Sequence, residues 1–154
     1  MARISFEGLE YLDAQAIQEL GRVGPIEEYI KHDQSFELGG FKVLNKGERI
    51  GSMALRSEVR PDGQTVLVIV AVYIRETANR LVDGIEEIKK MAAKNGFDFI
   101  RAHVSRAKAV KAFLKCGGEA ILDFKTTQEY RSDDLDFISN YISLHGEAVM
   151  MIEV

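Results

Sequence analysis

Few side chains in this sequence bring chemistry on their own. His103 carries an imidazole, the side chain that titrates near neutral pH, and it sits in the apolar run Phe97–Val104, so it is a candidate base. The plainer reading of a lone strand histidine is a packed or solvent-facing residue. Tyr73 ends a second apolar run that begins at Val66 and brings a phenolic hydroxyl to a strand end, where an aromatic also serves packing. Cys116 is the sole cysteine, so no intrachain disulfide can form and a reducing compartment is the simplest reading. No His or Asp accompanies it, which favours a small core residue over a nucleophile. His32 and His145 lack partners at metal-ligand spacing, so no metal is expected.

Charge narrows the partners. The chain has 154 residues and a net charge of −4, with a pI near 5.5. That balance argues against a nucleic-acid binder relying on a broad basic surface. Arg101, Arg106, Lys108, Lys111 and Lys115 form a local basic cluster, which a solvated helix face explains most simply. Residues 1–7 lack the apolar core of a signal peptide, and the run from Val66 to Tyr73 is too short to span a bilayer. A soluble, cytoplasmic chain forming one domain over residues 1–154 is expected, with neither nucleic acid nor membrane as partner.

The elements that must position these residues follow from periodicity. Arg3–Leu9 reads as a strand, and Asp13 as the N-cap of a helix that places Ala14, Ile17 and Leu20 on one face. Pro25 suits the first position of a further helical turn through Ile26, Tyr29 and Ile30, and Gln34–Gly40 reads as a loop. Phe41–Leu44, Arg49–Ser57 and Thr65–Ile74 are successive strands, joined by turns at Asn45-Lys46-Gly47-Glu48 and Pro61-Asp62-Gly63. Val66–Val72 is apolar on both faces, as a central, covered strand would be. Ala78, Leu81, Val82, Ile85, Ile88, Met91 and Ala92 recur at helical spacing, and Asn95-Gly96 stops the helix. A strand at Phe97–Val104, a helix at Arg106–Lys115, a strand at Ala120–Thr126, a short helix around Leu135–Ile142 and a strand at Ala148–Val154 complete the order. The fold class is therefore α/β (α+β), with a mixed, mainly antiparallel sheet of about six to seven strands and helices on both faces.

That order, together with three local patterns, resembles the GNAT superfamily of acyl-CoA-dependent N-acyltransferases. Gly47-Glu48-Arg49-Ile50-Gly51-Ser52-Met53-Ala54-Leu55 is similar to the family's second hairpin. Lys94-Asn95-Gly96-Phe97 followed by Ile100–Val104 is similar to its helix end and fifth strand. Ala109–Gly118 is similar to its fourth helix. The likeness covers roughly Phe41–Thr126. It implies acetyl-CoA or another acyl-CoA as substrate, with an amine acceptor.

The resemblance also assigns a site. Acyl-CoA phosphates would sit at the N-terminus of the helix after Ile74, where free N–H groups and the helix dipole favour an anion. The stretch Ile74–Val82 has no glycine to admit the phosphates closely, so Arg75 and Arg80 would substitute charged contacts, with Thr77, Ala78 and Asn79 alongside. The alternative is that Thr77 caps a structural helix and both arginines are solvated. The basic cluster of Arg101, Arg106, Lys108, Lys111 and Lys115 would, in such a family member, also be placed to meet the 3′-phosphate of CoA. Val70 and Val72 would offer backbone N–H groups to an oxyanion. Ser105 stands where the family often has a cofactor-contacting asparagine, although an N-cap is the favoured reading. Phe113 occupies the position of the family's usual acidic tyrosine and cannot donate a proton, which leaves Tyr73 and His103 as catalytic candidates.

Two functions follow from the resemblance. One is direct acyl transfer to an amine. The other is a GNAT-fold module without catalysis, serving as a homodimer or assembly component; the Phe113-Leu114-Lys115 ending and the strands after it are similar to small phage-encoded proteins, some of them virion-associated. The terminal strand Ala148–Val154 is the expected edge for self-pairing.

Overall fold

The computed structural model describes residues 4–10, 12–23, 39–75, 80–122 and 130–154. The turn at Gly24-Pro25, the helix expected after it, most of the loop Gln34–Gly40, and Thr77, Ala78 and Asn79 lie outside the described residues. The strands are β1 (Ile4–Leu9), β2 (Gly39–Asn45), β3 (Glu48–Val59), β4 (Thr65–Ile74), β5 (Phe99–Val104), β6 (Glu119–Ile121), β7 (Arg131–Ser132) and β8 (Ala148–Glu153). The described helices are α1 (Ala14–Gly21), α2 (Leu81–Lys94), α3 (Ala107–Lys115) and α4 (Leu135–His145).

All eight strands form one sheet in the order β1-β2-β3-β4-β5-β8-β6-β7. Every pairing is antiparallel except β4–β5. The β2–β3 hairpin closes where Lys46 and Gly47 take φ of 52° and 85°, the pair of positive values a tight primed turn needs. β4 occupies the middle, as its two-sided apolar pattern requires. The eighth strand beyond the expected count is β7, two polar residues that carry no strand pattern.

One face of the sheet is covered by α2, α3 and α4 around Leu67, Ile69, Ile85, Ile100, Phe113 and Met150. α1 covers the other face through Leu20 against Ala54, Val70 and Tyr73. Asp13 caps α1, accepting the Ala16 N–H at 2.8 Å.

Two expectations are corrected. The strand at Ala148–Glu153 is not an edge: it lies between β5 and β6, paired on both sides. Its residues Ala148–Ile152 are all buried, so both faces need cover and both edges need partners. Ser105 is not the cap of α3 either. That position is Arg106, with extended φ and ψ of −120° and 137° and no side-chain cap bond, because the helix starts at Ala107.

Candidate active-site cleft

The site grows from an irregularity in β4. Against β3 the register shifts between Ala54, opposite Ala71, and Leu55, opposite Ile69, so Val70 is an extra residue in a β-bulge. The bulge resets the side-chain alternation. Leu67 and Ile69 face the main core, Val70 and Ala71 both pack toward α1, and Val72 and Ile74 return to the main core.

β4 and β5 are paired only as far as Ile69 and Ala102, yet β4 continues to Ile74 and β5 to Val104. Beyond the last pair the strands part and leave a cleft of about 160 Å³. On the β3 side, Arg75 N–H donates to the Ile50 carbonyl at 3.0 Å. Strand alternation then turns the N–H and C=O groups of Val72 and Ile74 the opposite way, toward the cleft. Of the two valines expected to present backbone groups, only Val72 does so by this alternation. Leu81, Ala109 and Phe113 line the cleft from the α2–α3 side, and Val23, Tyr73, His103 and Arg106 from the α1 side. The cleft therefore opens between two strands and is lined from both faces of the sheet.

Structure brings both expected catalytic residues to this cleft. Ala102 and Val104 take the core face of β5, which sends His103 to the α1 face. There its Nδ1 lies 3.1 Å from Oε1 of Glu147, the residue preceding β8. The two side chains are 47% and 58% exposed, open to an entering molecule. A carboxylate on Nδ1 favours the proton there and leaves Nε2 as the acceptor. Across the gap, the Tyr73 hydroxyl is 3.5 Å from Nη1 of Arg22, whose guanidinium lies 5.8 Å from the ring centroid. Arg106 donates to the Arg22 carbonyl at 3.2 Å. Ser105 also lines the cleft.

The arginines expected at the phosphates are engaged elsewhere. Arg75 donates to the Arg49 carbonyl at 2.7 Å and approaches Glu48 at 3.4 Å. Arg80 contacts Asp83 at 2.5 Å and donates to Asn45 Oδ1 at 3.1 Å, with its Nη2 buried and without a partner among the described residues. Neither lines the cleft. Phe113, only 3% exposed, forms part of the apolar wall.

Cys116 belongs to the packing. Burial, and after it the neighbouring Glu86, push its thiol up to about 12, and its Sγ points to the Val82 carbonyl at 3.7 Å. His145 stacks on Tyr141 with centroids 4.3 Å apart, and His32 lies outside the described residues. No group of three metal-ligating side chains occurs among the described residues, and no helix among them is long and apolar enough to cross a membrane.

Sequence reasoning missed a polar cluster beside the cleft. Arg49 donates to both oxygens of Asp13 and to Ser52 Oγ, and Ser52 Oγ donates to Glu19 Oε1 at 2.7 Å. Ser52 is fully buried and is the cross-strand partner of Tyr73, so the cluster anchors α1 to the strand pair that carries the site. Glu147 was missed as well: it stands 44 residues from His103, with no local pattern to announce it.

No protein-family model matches the chain, and no curated protein matches it in sequence. Its architecture is nevertheless that of the GNAT acetyltransferases. An IAA acetyltransferase from Bacillus cereus superposes with a TM-score of 0.61 at 15% identity, covering 99% of this chain and 100% of that one. A GNAT family acetyltransferase from Elizabethkingia anophelis with acetyl-CoA bound gives 0.63 at 15% identity, covering 98% of each chain. An acetyltransferase from Bacillus subtilis in complex with CoA gives 0.58 at 15% identity, covering 100% of this chain and 99% of that one.

Proposed function

We propose that this protein is an acyl-CoA-dependent N-acyltransferase, with acetyl-CoA as donor and an amine as acceptor. One observation carries the reading: the strand edge at Val72 and Ile74 faces the same cleft as the His103–Glu147 pair. The pantetheine arm of an acyl-CoA is a run of amides, and an unpaired strand edge is a surface to which such a chain adds by backbone hydrogen bonding. Opening from both faces lets donor and acceptor meet without either passing the other.

Each residue then has a chemical task. His103 Nε2 accepts the proton from the attacking amine, and Glu147 steadies the ring and the charge it acquires. The Val72 N–H faces the carbonyl oxygen as negative charge builds on it. The amine nitrogen forms a bond to the acyl carbon, the carbon–sulfur bond breaks, and the Tyr73 hydroxyl supplies a proton to the departing thiolate. Val70, Arg75, Thr77, Ala78, Asn79, Arg80 and Ser105 complete the set proposed around the donor, Ser105 lying on the wall itself.

A thermal-shift titration with acetyl-CoA and CoA, against ATP as a charge control, tests the reading. A donor at 100 times its Kd adds about 2.7 kcal/mol to stability. For a chain of this length that raises the Tm by roughly 5–10 °C. An unchanged melt at millimolar acetyl-CoA rules the reading out.

The engagement of Arg75 and Arg80 by protein groups favours a second reading, in which the fold persists without acyl transfer and serves as an interaction or assembly module. A virion role would be one form of it. The same titration separates the two, because only the first requires the donor to bind.

A further inference from the structure

We infer that the acceptor is an amine bearing a carboxylate, an amino acid or a close analogue, whose anionic group is held by Arg22 and Arg106 at the α1-side mouth of the cleft. The inference rests on the acyltransferase reading and extends it to the substrate class.

Arginine pairing is the first observation. Arg49, Arg56, Arg60, Arg75, Arg80, Arg101 and Arg131 each have a carboxylate partner. Arg22 and Arg106, the other two described arginines, have none among the described residues. Both stand at the same place. Arg22 lies against the Tyr73 ring, a wall of the cleft, and Arg106 lines the cleft and donates to the Arg22 carbonyl at 3.2 Å.

With Arg106 on the Arg22 backbone carbonyl and the Arg22 guanidinium on Tyr73, two positive charges stand at one mouth of the cleft with no carboxylate partner among the described residues, and an anion entering there is attracted by both. Lys108, which also lines the cleft, adds to the positive field. The carboxylate found nearby, Glu147, is occupied by His103 at 3.1 Å. A guanidinium offers parallel donors matched to the two oxygens of a carboxylate, and Arg22 is already steadied by Tyr73. An acceptor fixed at that end directs its amine toward the interior of the cleft, where His103 can take the proton.

The test follows acetyl-CoA-dependent thiol release with free amino acids and with the matching carboxamides, which keep the amine and lose the charge. Wild type should use the acids in preference, by about tenfold to a hundredfold in kcat/KM. Arg22→Gln and Arg106→Gln should each erase most of that preference through KM, read as the ratio of acid to carboxamide kcat/KM within each variant because Arg22 also donates to the Tyr73 hydroxyl, while the acetyl-CoA thermal shift stays as it was. Both arginines are exposed, and unchanged melting of the variants without ligand confirms that they fold. Equal use of acids and amides, or no turnover of any acid despite a normal acetyl-CoA shift, overturns the inference and leaves donor binding intact. A smaller acetyl-CoA shift in the variants also overturns it, assigning the arginines to the donor's phosphates. No shift with acetyl-CoA in wild type removes the acyltransferase reading, and this inference with it.

Discussion

Arg49 forks onto Asp13, reaching one carboxylate oxygen at 2.7 Å and the other at 3.0 Å. One of those oxygens also accepts the Ala16 N–H, so a single carboxylate both starts α1 and moors it to β3. The Arg49 guanidinium, more than any other neighbour, holds the Asp13 carboxyl down at about 2, against an ordinary 3.8. A depressed acid stabilises the fold while it is ionised. Its contribution is present above about pH 4 and disappears as the pH falls through about 2. Melting curves of wild type and Asp13→Asn, which keeps a capping side chain but not the charge, should differ at pH 5 and converge toward pH 2. Asp13→Ala removes cap and ion pair together and should cost about 1–2 kcal/mol at neutral pH.

The His103–Glu147 pair predicts an asymmetric pair of kinetic effects. His103→Gln removes the proton acceptor and should lower kcat by about 10²–10⁴-fold. Glu147→Gln leaves the imidazole in place, so the rate should fall by a smaller factor, on the order of tenfold. Steady-state rates of the two variants beside wild type check both. Equal losses in the two variants would point to packing instead of proton transfer.

Gly51 is a steric prediction. A Cβ there would lie 1.9 Å from the Tyr73 carbonyl oxygen and 3.0 Å from the Ile74 Cα, both backbone atoms of β4. Gly51→Ala must therefore push the two strands apart beside the cleft, and a cost of about 1–3 kcal/mol or more is expected. Urea denaturation should show a lower midpoint with an unchanged slope. Gly47→Asn is the contrast, since nothing lies within 4 Å of a Cβ there and asparagine tolerates the positive φ of that turn.

Cys116 should be silent in the native protein. With its thiol pushed up to about 12 by burial, very little thiolate exists at pH 8. A thiol-specific reagent should leave it unmodified until denaturant is added, then label it stoichiometrically. Rapid native labelling would contradict its placement under α2.

How much of this was legible depended on the range of the interaction concerned. β4 was bounded correctly from Thr65 to Ile74, because ten apolar or β-branched residues in a row need no partner to be recognised. The cap at Asp13 and the turn at Lys46-Gly47 were equally local. The bulge at Val70 was not legible, since the run Val68-Ile69-Val70-Ala71-Val72 reads alike in every register. Neither was the insertion of β8, which depends on pairings with β5 and β6 that no nearby residue encodes. For the site, Tyr73, His103, Val70, Val72 and Ser105 were named and do line the cleft, whereas Glu147, Arg22 and the Asp13–Arg49–Ser52–Glu19 cluster became visible only in three dimensions.

The inner position of β8 also constrains the order in which the molecule can assemble. β6 and β7 are synthesised earlier, yet they join the rest of the sheet only through β8. Until residues 148–153 emerge and find β5, the edge of β5 opposite β4 stays bare and the short β6–β7 pair has nothing to dock on. Such late, long-range closure slows folding and leaves an adhesive strand edge exposed meanwhile. Nascent chains halted before Ala148 should accordingly be aggregation-prone and protease-sensitive beyond β5, with the hairpins β2–β3 and β3–β4 already formed.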